Sequence, residues 1–278
     1  IKNSKERLFE LDPSDTDYKR KLHKEVVTFT REIPLQNRNS LSRYVARRRI
    51  VLDVFARILE NELKIQGESK RNIDEELLHN LIFQQSSSNV EDSDLWLLNE
   101  EFIYFKGESN IALSKITVNG VPLLRQDLSP EEEAHRKSLD EDRYLKKPDI
   151  LLFPNEGKCI IVEFKNPDKN VAEHLNQISN YANILLNFSN PRLGFKTFYG
   201  YLIGEKITAF EVQAYDASFE EALHFDYLSQ TKRVKNFFNG TGDGSIYLEV
   251  IKYSTLLRRA QMRNDAFIKK LLGGQKRE

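Results

Sequence analysis

Residues 148–165 read PDILLFPNEGKCIIVEFK, and their pattern decides the fold. Ile150 to Phe153 is a short apolar run, Asn155-Glu156-Gly157-Lys158 is turn chemistry, and Cys159 to Phe164 is a second apolar run. Two such runs around a glycine-containing turn predict a β-hairpin. Side chains alternate along a strand, so Ile160, Val162 and Phe164 share one face while Ile161, Glu163 and Lys165 share the other. An acid and a lysine thus stand side by side on a strand apolar enough to be central. Burying them costs several kcal/mol unless something compensates. Asp149, at the start of the partner strand, brings a second carboxylate to the same place. Two carboxylates beside one lysine are electrostatically frustrated, and a divalent cation relieves that frustration. The plain alternative is a strand-edge ion pair with Glu163 and Lys165 both in solvent.

C-terminal to the hairpin, residues 170–187 (NVAEHLNQISNYANILLN) predict a helix. Gln177, twelve positions beyond Lys165, and Tyr181 lie at i and i+4, on one face of it. Strands are expected at 197–203, 207–214 and 246–252, and a last helix over 254–272, capped by Gly273. Gly240, Gly242 and Gly244 suggest a loop, with no Lys-Ser/Thr after them to make a phosphate cradle. Cys159 reads as a small packed side chain.

On the N-terminal side a short helix is expected near 15–31, then a connection through Pro34 to Asn39. Leu41, Tyr44, Val45, Val51, Phe55, Ile58, Leu59 and Leu63 recur at three- and four-residue steps, which predicts a helix capped by Ser40 and stopped by Gly67. A further helix is expected over 72–84. Residues 95–105 suit a strand or a packed extended segment, and 128–146 an exposed acidic insertion. The fold class is α/β (α+β): a mixed central sheet flanked by helices, with an N-terminal helical extension over 1–70 and the main domain over 71–278.

The 278 residues carry 42 Lys+Arg and 42 Asp+Glu, so nucleic acid is not held by bulk charge. The charge is segregated: residues 41–70 are net +3, 129–143 net −3 and 251–278 net +6. Arg47, Arg48, Arg258, Arg259 and Arg263 in the two basic helices are candidate phosphate contacts. A single cysteine excludes a disulfide framework and fits a reducing, cytoplasmic setting. No apolar run is long enough to span a membrane. An Ile1 start with Met262 as the lone methionine suggests a module from a longer chain.

Pro148-Asp149 followed by Glu163-Phe164-Lys165 resembles the PD-(D/E)XK nuclease signature, and Gln177-Ile178-Ser179-Asn180-Tyr181 resembles the QxxxY motif of a subset of that superfamily. The matched stretch covers roughly 148–187. More loosely, LHNLIF (78–83), LWLLNEEF (95–102) and YLEVIKYSTLLRRAQMRN (247–264) are similar to nuclease modules of prokaryotic defence proteins, some of which follow an ATPase domain.

The resemblance implies a restriction-endonuclease-like sheet and a Mg²⁺- or Mn²⁺-dependent endonuclease or nickase acting on DNA in defence. It further implies a homo-oligomer, with an upstream domain or partner ATPase. Asp149, Glu163 and the Phe164 backbone carbonyl would hold the metal, and Lys165 would orient the attacking water. Gln177 and Tyr181 would support the site. A further acid from the preceding helix is expected from Glu75 or Glu76, with Glu76 preferred and His79 one turn on. The rival reading from another class is a non-catalytic DNA- or protein-binding module on the same fold.

Overall fold

The computed structural model describes residues 15, 17–32, 35–138, 147–222, 226–238 and 242–273. In chain order the helices are α1 (Tyr18–Glu32), α2 (Leu35–Leu59), α3 (Lys64–Glu68), α4 (Asp74–Ile82), α5 (Pro130–Ser138), α6 (Leu175–Phe188), α7 (Ala209–Tyr215) and α8 (Tyr253–Gly273). The strands are β1 (Lys106–Ser109), β2 (Thr117–Val118), β3 (Val121–Pro122), β4 (Ile150–Phe153), β5 (Lys158–Phe164), β6 (Thr197–Gly204), β7 (Glu220–Ala222), β8 (Tyr227–Val234) and β9 (Gly244–Lys252).

The predicted hairpin forms as β4 and β5, antiparallel, with Ile150 opposite Val162. It sits inside a seven-stranded sheet of order β1-β4-β5-β6-β9-β8-β7. β5, β6 and β9 run parallel at its centre, and the outer pairings are antiparallel. Every residue of β5 from Cys159 to Phe164 is buried, as a strand covered on both faces requires. On one face Cys159, Ile161, Phe198, Leu202 and Leu248 pack with Ile178, Ala182 and Leu185 of α6. On the other Ile160, Val162, Phe164, Ile203 and Ile251 pack with Phe55, Leu78, Ile82, Trp96 and Leu256. The result is a mixed sheet between helices.

The close seating of α6 depends on Gly200. A Cβ at that position would stand 2.5 Å from Ile178 Cγ2 and 2.5 Å from Leu248 Cδ2. The missing side chain therefore lets the helix that carries Gln177 approach β6.

Several expectations are overturned. Residues 207–214, read as a strand, fall mostly in α7, because Thr208 caps the helix by accepting from the Glu211 N–H at 3.2 Å. Residues 95–105 are not extended. They form two 3₁₀ turns, Leu95–Leu97 and Glu100–Tyr104, with Asn99 capping the second and the Trp96 indole donating to Asp94 Oδ1 at 2.7 Å. α2 starts at Leu35 rather than at a Ser40 cap, and ends at Leu59; Gly67 lies inside α3. The acidic segment holds α5, where Glu132 is buried and paired with Arg125; residues 139–146 and Gly240 lie outside the described residues.

The chain divides into two compact units, Ile1–Ile50 with Phe267–Glu278, and Val51–Ala266. The division falls within α2, not at residue 70, because Val51, Leu52, Phe55 and Ile58 belong to the core of the second unit. Among the described residues no helix is long and apolar enough to cross a membrane.

Replacing Gly200 with Ala forces its new methyl into Ile178 and Leu248. The expected loss is about 1–3 kcal/mol, typical of overpacking. Urea denaturation checks it, and an unchanged midpoint would contradict the close-approach role of Gly200.

Candidate active site

The end of β5 carries the acid–lysine pair, and β4 sets Asp149 against it. Asp149 N–H points to Glu163 Oε1 at 3.4 Å, while Phe164 N–H donates to Asp149 Oδ2 at 2.7 Å. The Asp149 carbonyl accepts from Asn110 N–H at 2.9 Å, which ties the residue to the end of β1 as well. Glu163 is 2 % exposed. Its Oε2 accepts from Gln177 Nε2 at 2.6 Å and from Lys165 Nζ at 3.3 Å. Lys165 is held at both backbone groups: its N–H donates to Ile203 O at 2.8 Å, and its carbonyl accepts from the Tyr253 hydroxyl at 3.1 Å. The solvated strand-edge ion pair is thereby excluded, since Lys165 too is mostly covered.

α4 forms the adjoining wall. His79 Nδ1 lies 3.7 Å from Asp149 Oδ1, and its Nε2 is 2.9 Å from Ser109 Oγ. Burial drives the His79 pKa down to about 4, a fall only partly offset by a hydrogen bond to the Asp149 backbone, so the ring is neutral at pH 7. It supplies no counter-charge. The Phe164 ring lies between His79 and Tyr253, with centroids 5.2 Å and 6.3 Å away.

The preferred third acid is corrected by the geometry. Glu76 faces outward and pairs with Arg71 at 2.6 Å. Glu75 instead is half-buried and feels both Asp149 and Lys165, with a hydrogen bond from the Asn166 backbone. His79 lies at i+4 from Glu75 and at i+3 from Glu76, so spacing alone does not choose between them; the packing of α4 sets Glu75 near Asp149 and Lys165. Tyr253 was not anticipated, because only the sheet brings a residue so distant in the chain to Lys165.

The carboxylates are under-compensated. Burial lifts Asp149 from 3.8 to about 6, countered in part by the Phe164 N–H and by Lys165. Burial, and then the Asp149 charge, push Glu163 well above its ordinary 4.5. Burial, then Asp149, raises Glu75 as well. Three acids thus face one lysine. Among the described residues no group of three or more His, Cys, Asp or Glu stands in metal-holding geometry. The donor set still fits a hard cation such as Mg²⁺, which takes one or two carboxylates and keeps several waters. Asp149 and Glu163 are the residues that would hold it.

The remaining predicted residues divide. Gln177 reaches Glu163, whereas Tyr181, one turn on, is buried in the apolar cluster beneath α6. Arg263 is engaged in structure, donating to the carbonyls of Trp96 and Leu97 at 3.0 and 2.9 Å. Arg258 pairs with Asp226 at 3.2 Å, and Arg259 lies over the Tyr227 ring at 5.0 Å. Within the other unit Arg48 is buried with its guanidinium over Tyr44 at 5.3 Å, while Arg47 is exposed. Of these candidate phosphate contacts, Arg48, Arg258, Arg259 and Arg263 each have an intramolecular partner.

No family model, curated protein or solved structure matches the chain.

Between their ordinary and raised pKa values, Asp149 and Glu163 keep protons in the folded state that the unfolded chain releases. Stability contributed this way falls as pH rises through that window. In the absence of divalent ions, Tm should be lower at about pH 7.5 than at about pH 5, with a smaller drop in Asp149→Asn. Millimolar Mg²⁺ should restore Tm chiefly at the higher pH, as a ligand specific to the folded state does. Calorimetric melts check both; a Tm insensitive to Mg²⁺ at either pH would contradict the assignment of Asp149 and Glu163 to a cation.

Proposed function

We propose that the chain is a divalent-metal-dependent nuclease that hydrolyses DNA phosphodiester bonds, on a restriction-endonuclease-like version of the mixed sheet. The observation that carries this reading is the buried Glu163 with the half-buried Asp149 beside it and Lys165 and Gln177 converging on Glu163 at one strand end. A Mg²⁺ or Mn²⁺ held there would polarise the phosphoryl group and acidify a water.

The protein's own groups have separable tasks. Asp149 is oriented by the Phe164 N–H, which binds Oδ2 and leaves Oδ1 beside His79. Glu163, clamped by Gln177, is kept in one rotamer, so its charge is positioned before substrate arrives. Lys165 offers an ammonium to charge that builds on the scissile phosphate and to the water that attacks it. Its backbone anchoring by Ile203 and Tyr253 limits drift of that ammonium. Glu75 adds a further acceptor beside Asp149 and Lys165.

The resemblance to nuclease modules of defence proteins supports an endonuclease or nickase acting on foreign DNA in the cytoplasm. An oligomer with an ATPase domain or partner extends the same reading.

Cleavage of plasmid, linear and single-stranded DNA is expected with Mg²⁺ or Mn²⁺ and not with EDTA. Asp149→Asn, Glu163→Gln and Lys165→Ala should each slow it at least about 100-fold while circular dichroism stays native. Glu75→Gln should cost about tenfold, as supporting residues of a metal site do, and Glu76→Gln almost nothing. Cutting that survives EDTA and all three primary substitutions would overturn the mechanism.

A further inference from the structure

Among the described residues β1 is the terminal strand of the sheet, with no strand beside one of its edges. Lys106 and Glu108 face β4 opposite Phe153 and Leu151, and Asn110 N–H continues that side by donating to Asp149 O. Backbone groups alternate along a strand, so those of Gly107 and Ser109 point to the free edge. Ser109 is satisfied there: its N–H donates to Ser87 O at 2.9 Å and its carbonyl accepts from Ser86 N–H at 2.8 Å. Gly107 is buried, yet on that side its N–H and C=O meet no hydrogen-bond partner among the described residues. A buried backbone donor and acceptor left unpaired is uncommon and costly.

Gly107 lines a cavity of about 440 Å³, within the size range of roughly 300–1,000 Å³ that small-molecule sites occupy. Its lining includes Glu91, Tyr104, Lys106, Glu108 and Phe153. Tyr104, one of the lining residues, is 80 % exposed, a large aromatic ring in solvent. The charge around it disfavours phosphate, since two carboxylates face one lysine and Lys106 Nζ is already bonded to Asn119 Oδ1 at 2.5 Å. An added peptide strand would gain little, because Ser86–Ser87 already occupies the edge at Ser109 and only one residue remains free.

We propose that this cavity binds a neutral nucleobase, whose adjacent donor and acceptor pair with the Gly107 C=O and N–H while Tyr104 stacks on the ring. Every base carries such a pair on one edge, and the stack is indifferent to which base it meets. The site is distinct from the acidic one. Lys106 lies opposite Phe153 and Ser109 opposite Ile150, so the cavity is at the far end of the β1–β4 pair from Asp149, roughly 10 Å along the strands. It does not rest on the nuclease reading, and either can fail alone.

The same edge chemistry is presented by a free nucleoside and by a base of a single-stranded DNA. The full chain, kept in EDTA to prevent cleavage, is titrated calorimetrically with adenosine and separately with a three-nucleotide deoxyadenosine strand. Saturable binding of either at submillimolar concentration is expected, with tighter binding of the strand marking DNA as the source. Purine riboside, which lacks the amino donor, should bind about tenfold more weakly than adenosine. Tyr104→Ala should weaken adenosine at least about fivefold, as loss of base stacking does. Binding should also move the Gly107 amide resonance. No saturable heat from either probe at millimolar concentration would overturn the proposal. So would an unmoved Gly107 amide, or equal affinity in Tyr104→Ala.

Discussion

A carboxylate in the middle of a two-sided sheet must be answered by something close at hand, and Glu163 sets that demand here. Only 2 % of it meets solvent, and its immediate partners are a neutral amide and one ammonium. Desolvation and the neighbouring Asp149 both oppose its ionisation, so its pKa lies well above the ordinary carboxylate range. The local structure is built around tolerating that charge. α6 brings Gln177 against one oxygen, β4 brings a backbone N–H toward the other, and Lys165 stands two residues along the same strand face.

The sheet makes the arrangement possible by placing β5 between an antiparallel and a parallel neighbour. The β4 side delivers Asp149 through a tight hairpin. The β6 side leads out through α6, whose approach depends on the bare backbone at Gly200. Because β6 and β9 continue in parallel, Tyr253, just after β9, closes over the Lys165 carbonyl. The acids therefore sit where strand ends and helices meet, a common place for a site in an α/β sheet. A protein interior this dense leaves little room for the carboxylates to separate and relax, so their mutual repulsion persists until a proton or a cation relieves it.

The arginines illustrate why charge counts mislead. Their sequence positions made them candidate phosphate contacts, yet Arg263 caps carbonyls of the 3₁₀ segment and Arg258 answers Asp226. A guanidinium has five donors, and in a folded chain nearby carbonyls and carboxylates compete for them. Net charge over a helix measures composition, not which faces remain open.

The hairpin, the Asp149–Glu163–Lys165 grouping and the Gln177 helix were legible in the sequence, because alternation along a strand and i, i+4 spacing on a helix are local rules. Segments without a single strong period were misread: 207–214 lost to the Thr208 cap, and 95–105 to turn chemistry at Asp94 and Asn99. β1, β7 and β8 went unseen, since outer strands of mixed composition carry little periodic signal. The choice of Glu75 over Glu76 needed the rotation of α4 against β4, and Tyr253 reaches Lys165 across 88 positions. By itself, then, the sequence determined which chemistry-bearing residues share a strand and a helix face. Only the tertiary structure decided which of them are buried, paired or turned outward, because desolvation and long-range partners arise when separate elements pack.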